Sequence, residues 1–142
     1  MGPGPSVTAR VCHRSGVSPL GWDWLLQTPA GQRIEERIYA RKDTLHTVHL
    51  LDVEVAQVLR RLVREGTLAR KRSEEAMEDL IAVRVTRYAP VLLLNRIWQL
   101  RQNLSAYDAA YVALAEELAA PLITRDQRIA AAPVHAATIE VF

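Results

Sequence analysis

The apolar positions fall into short runs and helical stripes that alternate along the chain. Leu45 to Leu51, LHTVHLL, is a short apolar run carrying β-branched residues and predicts a buried strand. It leads into DVEVAQVLRRLVREG, where Val55, Val58, Leu59, Leu62 and Val63 recur at helical spacing and Gly66 supplies the stop. Ser73, Glu74 and Glu75 open a further helix to Ala82, and VRVTRYA at 83–89 reads as a second strand. Pro90 to Arg101 predicts a helix whose apolar content is Leu93, Leu94, Ile97, Trp98 and Leu100. Ser105 caps a longer helix over 106–119, with Tyr107, Tyr111, Leu114, Ala115 and Leu118 as its stripe. Leu122 to Thr124 is a third strand, Gln127 to Ala132 a short helix and Thr138 to Phe142 a last strand. Ahead of these, Thr28 and Pro29 supply an N-cap and a first helical residue for a helix over 29–41, with Ile34 and Ile38 on one face. Strands alternating with helices imply right-handed βαβ units and an α/β domain on a parallel sheet.

Residues 1–21 follow neither period, and their Gly and Pro spacing would interrupt either element. They read as an irregular tail, leaving 22–142 as one domain. Composition agrees with a single core: 142 residues and 15.9 kDa suit one domain, and 49% apolar with 24% charged residues excludes a disordered chain. No apolar run reaches the ~18 residues of a membrane span. The tail lacks the apolar core of a secretory signal, and the single cysteine, Cys12, suits a reducing compartment, so a cytoplasmic location is expected. A balance of 18 basic against 16 acidic residues permits a polyanion partner without demanding one. All 16 acidic residues lie at or after Asp23, whereas residues 1–22 hold four of the six glycines and three of the seven prolines.

Ligands of an open parallel sheet bind beyond the carboxyl ends of its strands, so the strand-to-helix junctions are where chemistry should lie. Asp52 and Glu54 follow LHTVHLL, Asp126 follows PLIT, and Asp108 sits in the first turn of the helix opened by Ser105. Each acid alone has a structural reading: Ser105 to Asp108 fits a capping box, Asp126 an N-cap, and Asp52 or Glu54 a dipole contact. Asp52 is left with that reading. Glu54, Asp108 and Asp126 differ because their helices can begin at one sheet edge. Two carboxylates ~5 Å apart repel by roughly 3 kcal/mol at an effective dielectric of 20, so a gathered trio needs a counter-charge. A hard divalent cation with oxygen ligands supplies it, and the matching chemistry is hydrolysis of a phosphodiester by metal-activated water.

The stretches HLLDVEVAQVLRRL, NLSAYDAAYVALAEEL and PLITRDQRI, with the closing strand, closely resemble the PIN-domain family, specifically VapC-type toxins. The resemblance runs from about Trp24 to Phe142. It implies a three-layer α/β/α sandwich around a mainly parallel sheet. It also implies a Mg2+- or Mn2+-dependent endoribonuclease, a homodimer, and silencing by a cognate VapB-type antitoxin whose tail covers the acidic site. Glu54, Asp108 and Asp126 match the family's metal-binding acids, and Ser105 and Thr124 match polar positions that order water or substrate beside them.

One family feature is missing. Such proteins begin with an apolar strand ending in an aspartate that ligates the metal, and its counterpart here falls near Val17, in HRSGVSPLGWDWLL. Asp23 lies about two helical turns too far along to inherit the role. The abrupt join at Trp22 points to a displaced reading frame or start, and the absent carboxylate supports an alternative function: a catalytically impaired domain that binds antitoxin or dimerises. The run Arg60, Arg61, Arg64, Arg70, Lys71 and Arg72 could track an RNA backbone or form a solvated face. His13, His46, His49 and His135 lack metal-ligand spacing and read as structural, and Trp22 and Trp24 as packing or dimer surface. No Gly-rich phosphate loop is present.

Overall fold

A computed structural model describes residues 7–10, 25–41, 44–124, 126–133 and 135–141. The elements are β1 (Val7–Arg10), α1 (Pro29–Arg41), β2 (Thr44–Val48), α2 (Leu50–Arg64), α3 (Arg70–Ala82), β3 (Thr86–Tyr88), a 3-10 turn (Pro90–Leu93), α4 (Leu94–Gln99), α5 (Ala106–Glu117), β4 (Leu122–Thr124), α6 (Gln127–Ala131) and β5 (Ile139–Val141). The five strands form one sheet in the order β3-β2-β1-β4-β5, parallel at every pairing. All carboxyl ends therefore share one edge, where α2 and α6 begin directly after β2 and β4. Because α5 runs back to feed β4, its N-terminus lies at that edge too.

Alternation along the strands sorts the core into two layers. Val48 and Leu122 pack on one face with Leu93, Ile97, Leu100, Leu104, Ile129 and the buried length of α5. Ile123, one residue on from Leu122, points to the other face, against Leu51, Val55 and Leu59 of α2 and Ala76 and Leu80 of α3. The result is the α/β/α sandwich expected. Helix ends follow their chemistry: Thr28 Oγ1 accepts from the Gly31 N–H at 3.2 Å, and Gly66, at φ 76°, takes the left-handed step after α2. No helix among the described residues is long and apolar enough to cross a membrane.

Several expectations need correction. Residues Val7–Arg10, read as part of an irregular tail, form a strand paired on both sides, Ala9 opposite His46 and Leu122. Four residues bounded by Gly and Pro are too few for a period of two to register, and the demand for the strand comes from the open ladders of β2 and β4. The apolar run 45–51 ends as strand at Val48, and Leu50 already opens α2. The helix expected from Ser73 starts at Arg70, and Ser73 Oγ donates to the Arg70 carbonyl at 2.6 Å instead of capping. The segment 90–101 splits into a 3-10 turn and a short α4, leaving Leu94 and Trp98 exposed. Helix α5 has no single stripe: Ala109 through Ala115 are all buried, while Tyr107 is exposed. Its alanines let neighbours approach on every side. Trp22, Trp24, Cys12 and His13 lie outside the described residues, as do the side chains of Ile34 and Ile38.

A partly buried ion pair ties α4 to α5. Arg96 donates to Glu116 from Nε at 2.6 Å and from Nη2 at 2.9 Å, and the Ala136 N–H donates to Glu116 Oε1 at 2.9 Å. The hydrogen-bonded guanidinium holds the Glu116 carboxyl below its usual range, with burial working against the shift and the Ala136 N–H adding to it. A lowered folded pKa means stability that is complete above the unfolded value and is lost as pH falls through the folded one. Glu116→Gln should therefore destabilise at pH 7 but converge on wild type as the pH falls through the lowered folded pKa of Glu116, measured by urea unfolding across pH; a deficit unchanged at acid pH contradicts this. A second test concerns Thr47 of β2, fully buried, whose Oγ1 has no hydrogen-bond partner among the described residues. Thr47→Val should raise unfolding stability by about 1 kcal/mol, and a loss of that size would mean the hydroxyl has a partner.

Candidate active site

The three acids singled out in the sequence lie on elements that begin at the edge where the strands end. Glu54 stands in the second turn of α2, whose rotation is set by the buried Leu51 and Val55, one turn apart against the sheet. This leaves Glu54 half-buried and turned toward α5, where the Tyr111 hydroxyl donates to its Oε2 at 2.9 Å. Tyr111 is itself 1% exposed, so the bond is made well inside the fold. Asp108 lies three residues before Tyr111, on the same side of α5. Its N–H donates to Ser105 Oγ at 3.2 Å, the N-cap contact that starts the helix.

Asp126 is the most enclosed of the three, 5% exposed, and is held on both its main chain and its side chain. Its N–H donates to Oγ1 of the fully buried Thr124 at 3.0 Å. Its Oδ1 accepts from the Arg128 N–H at 2.8 Å, capping α6. The Arg128 guanidinium then closes on the same carboxylate: Nη2 to Oδ2 at 2.7 Å, and Nε to both oxygens at 3.1 Å. Hydrogen bonding to Asp126 and then its charge hold Arg128 above its usual range, slight burial opposes this, and the Asp108 charge adds to it. Asp108 and Asp126 thus share the field of one guanidinium.

Glu54 is hydrogen-bonded to Tyr111, which stands one turn from Asp108 on α5, and Asp126 is paired with Arg128, on which the Asp108 charge also acts. Among the described residues no group of three His, Cys, Asp or Glu side chains is gathered closely enough to hold a metal ion. The donor set still suits a hard divalent cation, since Mg2+ takes one or two carboxylates and completes its shell with water and phosphate. The charge at this edge requires a cation, and Arg128 supplies it.

Other candidates resolve into structure. Asp52 accepts from Arg87 Nε at 3.0 and 2.8 Å, tying α2 to β3 and standing apart from the other acids, as its structural reading implied. The His46 ring lies between the Tyr88 hydroxyl at 2.8 Å and Thr44 Oγ1 at 3.0 Å, and burial lowers its pKa. His135 Nε2 donates to the Ile129 carbonyl at 2.8 Å. In the basic run, Arg61, Arg70 and Arg72 pair with Glu65, Glu74 and Glu75, while Arg60, Arg64 and Lys71 are exposed at the far end of α2 and the start of α3. Sequence reasoning missed Tyr111, which it took as part of an apolar stripe, and Arg128. The spacing D-Q-R put an arginine two residues after an N-cap aspartate and was the available signal.

Comparison with known proteins identifies the family and the fold. The model of the PIN domain matches residues 22–134, starting where the texture of the sequence changes. Ribonuclease VapC9 of Mycobacterium tuberculosis is 47% identical over 87 residues, covering 61% of this chain and 68% of that protein. Ribonuclease VapC12 of the same organism is 35% identical over 117 residues, covering 82% and 89%. A solved structure of VapBC2 from Rickettsia felis, bound to a DNA fragment from its promoter, superposes with a TM-score of 0.65 over 95% of this chain and 98% of that one; at 11% identity it speaks to the fold. The carboxylates at the edge of a parallel α/β/α sandwich, the domain match and the extended identity place this chain in the PIN-domain family, among the VapC ribonucleases.

Proposed function

We propose that the chain is an endoribonuclease acting as the toxin of a toxin–antitoxin pair, and that it hydrolyses RNA phosphodiester bonds with the help of Mg2+ or Mn2+. The observation that carries this is the placement of Glu54, Asp108 and Asp126 on elements that begin at the carboxyl edge of the sheet, with Tyr111 bonded to Glu54 and Arg128 to Asp126, in a chain of the VapC ribonuclease family. Glu54, Asp108 and Asp126 are the groups that would hold the ion. When bound, it supplies an activated water and neutralises charge on the phosphate. The rest is positioning by the chain itself. The Thr124 and Ser105 hydroxyls fix the main chain of Asp126 and Asp108, so their contribution to substrate runs through the two aspartates. Tyr111 fixes Glu54, and burial of Asp126 keeps its negative charge in a setting where a cation is strongly preferred.

The partners that follow are RNA as substrate, a VapB-type antitoxin as inhibitor and a second copy of the chain, in the cytoplasm. A second reading, a domain that binds antitoxin or dimerises without cleaving RNA, is favoured by one observation: no acidic residue precedes Asp23, so the sequence immediately following β1 offers no fourth carboxylate.

Cleavage of RNA by the purified chain in Mg2+, free of antitoxin, separates the two. Asp108→Ala should abolish both cleavage and growth inhibition, a loss of at least about 100-fold for a group that stabilises the transition state. Toxicity unchanged by that substitution would sink the assignment, and an inert but folded wild type that still binds antitoxin would establish the second reading. Tyr111→Phe keeps the ring and deletes the bond to Glu54. It should lower metal affinity by about tenfold, as loss of a contact orienting a metal ligand does, while changing the melting temperature little. Unaltered Mn2+ affinity in that variant removes Glu54 from the site.

A further inference from the structure

The Arg128 side chain is 73% exposed, yet its guanidinium lies across a carboxylate that is 5% exposed. Both Asp126 oxygens accept from it, and Oδ1 accepts from the Arg128 main chain as well. An ionised carboxylate so enclosed must be compensated by a cation or by protonation. A fork donating at 2.7 to 3.1 Å covers the lone pairs through which the same carboxylate would ligate a metal, so the two cations exclude one another. Packing of α6 does not depend on the guanidinium, because Ile129 is the residue that anchors this helix in the core. An exposed side chain with no packing role can swing away without disturbing the fold.

We propose that Arg128 is a built-in counter-ion of the acidic site: it occupies Asp126 when no divalent ion is bound and must be displaced from it for one to bind. This rests on the reading of Asp126 as a metal ligand. The arginine balances the enclosed charge of Asp126 in the metal-free chain and sets metal affinity below what the acids alone would give. Asp108 lies within the field of the same guanidinium, so release of Arg128 also frees its attraction for the incoming ion.

Titration of Mn2+ into the metal-free full chain by calorimetry tests this, with thermal melts of the same samples. Arg128→Ala and Arg128→Gln should each bind Mn2+ about threefold to fivefold more tightly than wild type, the scale of an exposed ion pair. Arg128→Lys, which keeps the charge but loses the fork, should fall between. Without metal, the alanine and glutamine variants should melt below wild type, and saturating Mn2+ should close the gap. Equal affinity in wild type and both neutral variants, with Asp126→Asn abolishing binding, overturns the counter-ion role and leaves the metal site standing. Lysine behaving as wild type while both neutral variants bind more tightly shows that charge at a distance suffices, and rejects displacement of the fork. Wild-type affinity in Asp126→Asn, or no binding in wild type and both neutral variants, overturns the metal-ligand reading and this proposal with it. The glutamine variant keeps the test decisive if the alanine variant does not fold.

Discussion

An ionised aspartate in an almost closed position is the constraint around which this edge of the molecule is built. Asp126 lies two residues past β4, caps α6 and is 5% exposed, so it has lost most of its water. Left uncompensated, such a charge costs more than a domain of this size can spare. Compensation among the described residues includes the Arg128 N–H, which reaches Oδ1, and the Arg128 guanidinium, which meets both oxygens, while the Thr124 hydroxyl accepts from the Asp126 N–H and anchors its main chain. The Arg128 N–H contact is also the cap of α6, so one carboxylate serves both the helix start and the ion pair. Capping and ligation are alternative descriptions of one carboxylate presenting lone pairs at a strand-to-helix junction.

Helix α5 carries the rest. Because Ala109 to Ala115 are buried all round, it is clamped between the sheet and its neighbours, and the hydroxyl of Tyr111 is delivered to Glu54 from a rigid base. The same helix carries Asp108 at its open end and Glu116 near its closed end, where Arg96 and the Ala136 N–H secure it to α4 and the approach to β5. Acids fifty or more residues apart in the chain therefore face a common edge through a single buried element. The parallel order of the sheet contributes the remaining condition, since it brings every strand's carboxyl end, and the helices that follow, to one side.

Most helices and strands could be read from the sequence, because their signals are local. The stripe of Val55, Val58 and Leu59, the Thr28-Pro29 start and the Gly66 stop need no distant partner to be recognised. Departures came where a distant partner decides. Val7–Arg10 shows no period in four residues and becomes a strand because β2 and β4 flank it. Leu94 and Trp98 look like core in a helical pattern, but the 3-10 turn from Pro90 rotates them outward. Tyr111 looks like one apolar position among several until its hydroxyl finds Glu54. For the candidate site, Glu54 and Asp126 were singled out because they follow strands and Asp108 because it lies in the first turn of a helix, whereas Tyr111 and Arg128, which bond to Glu54 and Asp126, were not.

The sequence by itself determined the class of fold and the family to which the motifs around Glu54, Asp108 and Asp126 belong, because periodicity, capping chemistry and motif spacing are properties of neighbouring residues; it did not place Val7–Arg10 in the sheet between β2 and β4. The tertiary structure alone decided which side chains compensate those carboxylates. Pairing Tyr111 with Glu54 across 57 positions requires two helices to meet over a sheet. The choice of Arg128 over other cations for Asp126 depends on how a short helix turns after a buried strand. Coulomb and hydrogen-bond energies act through distances in space, and only the folded chain sets those distances.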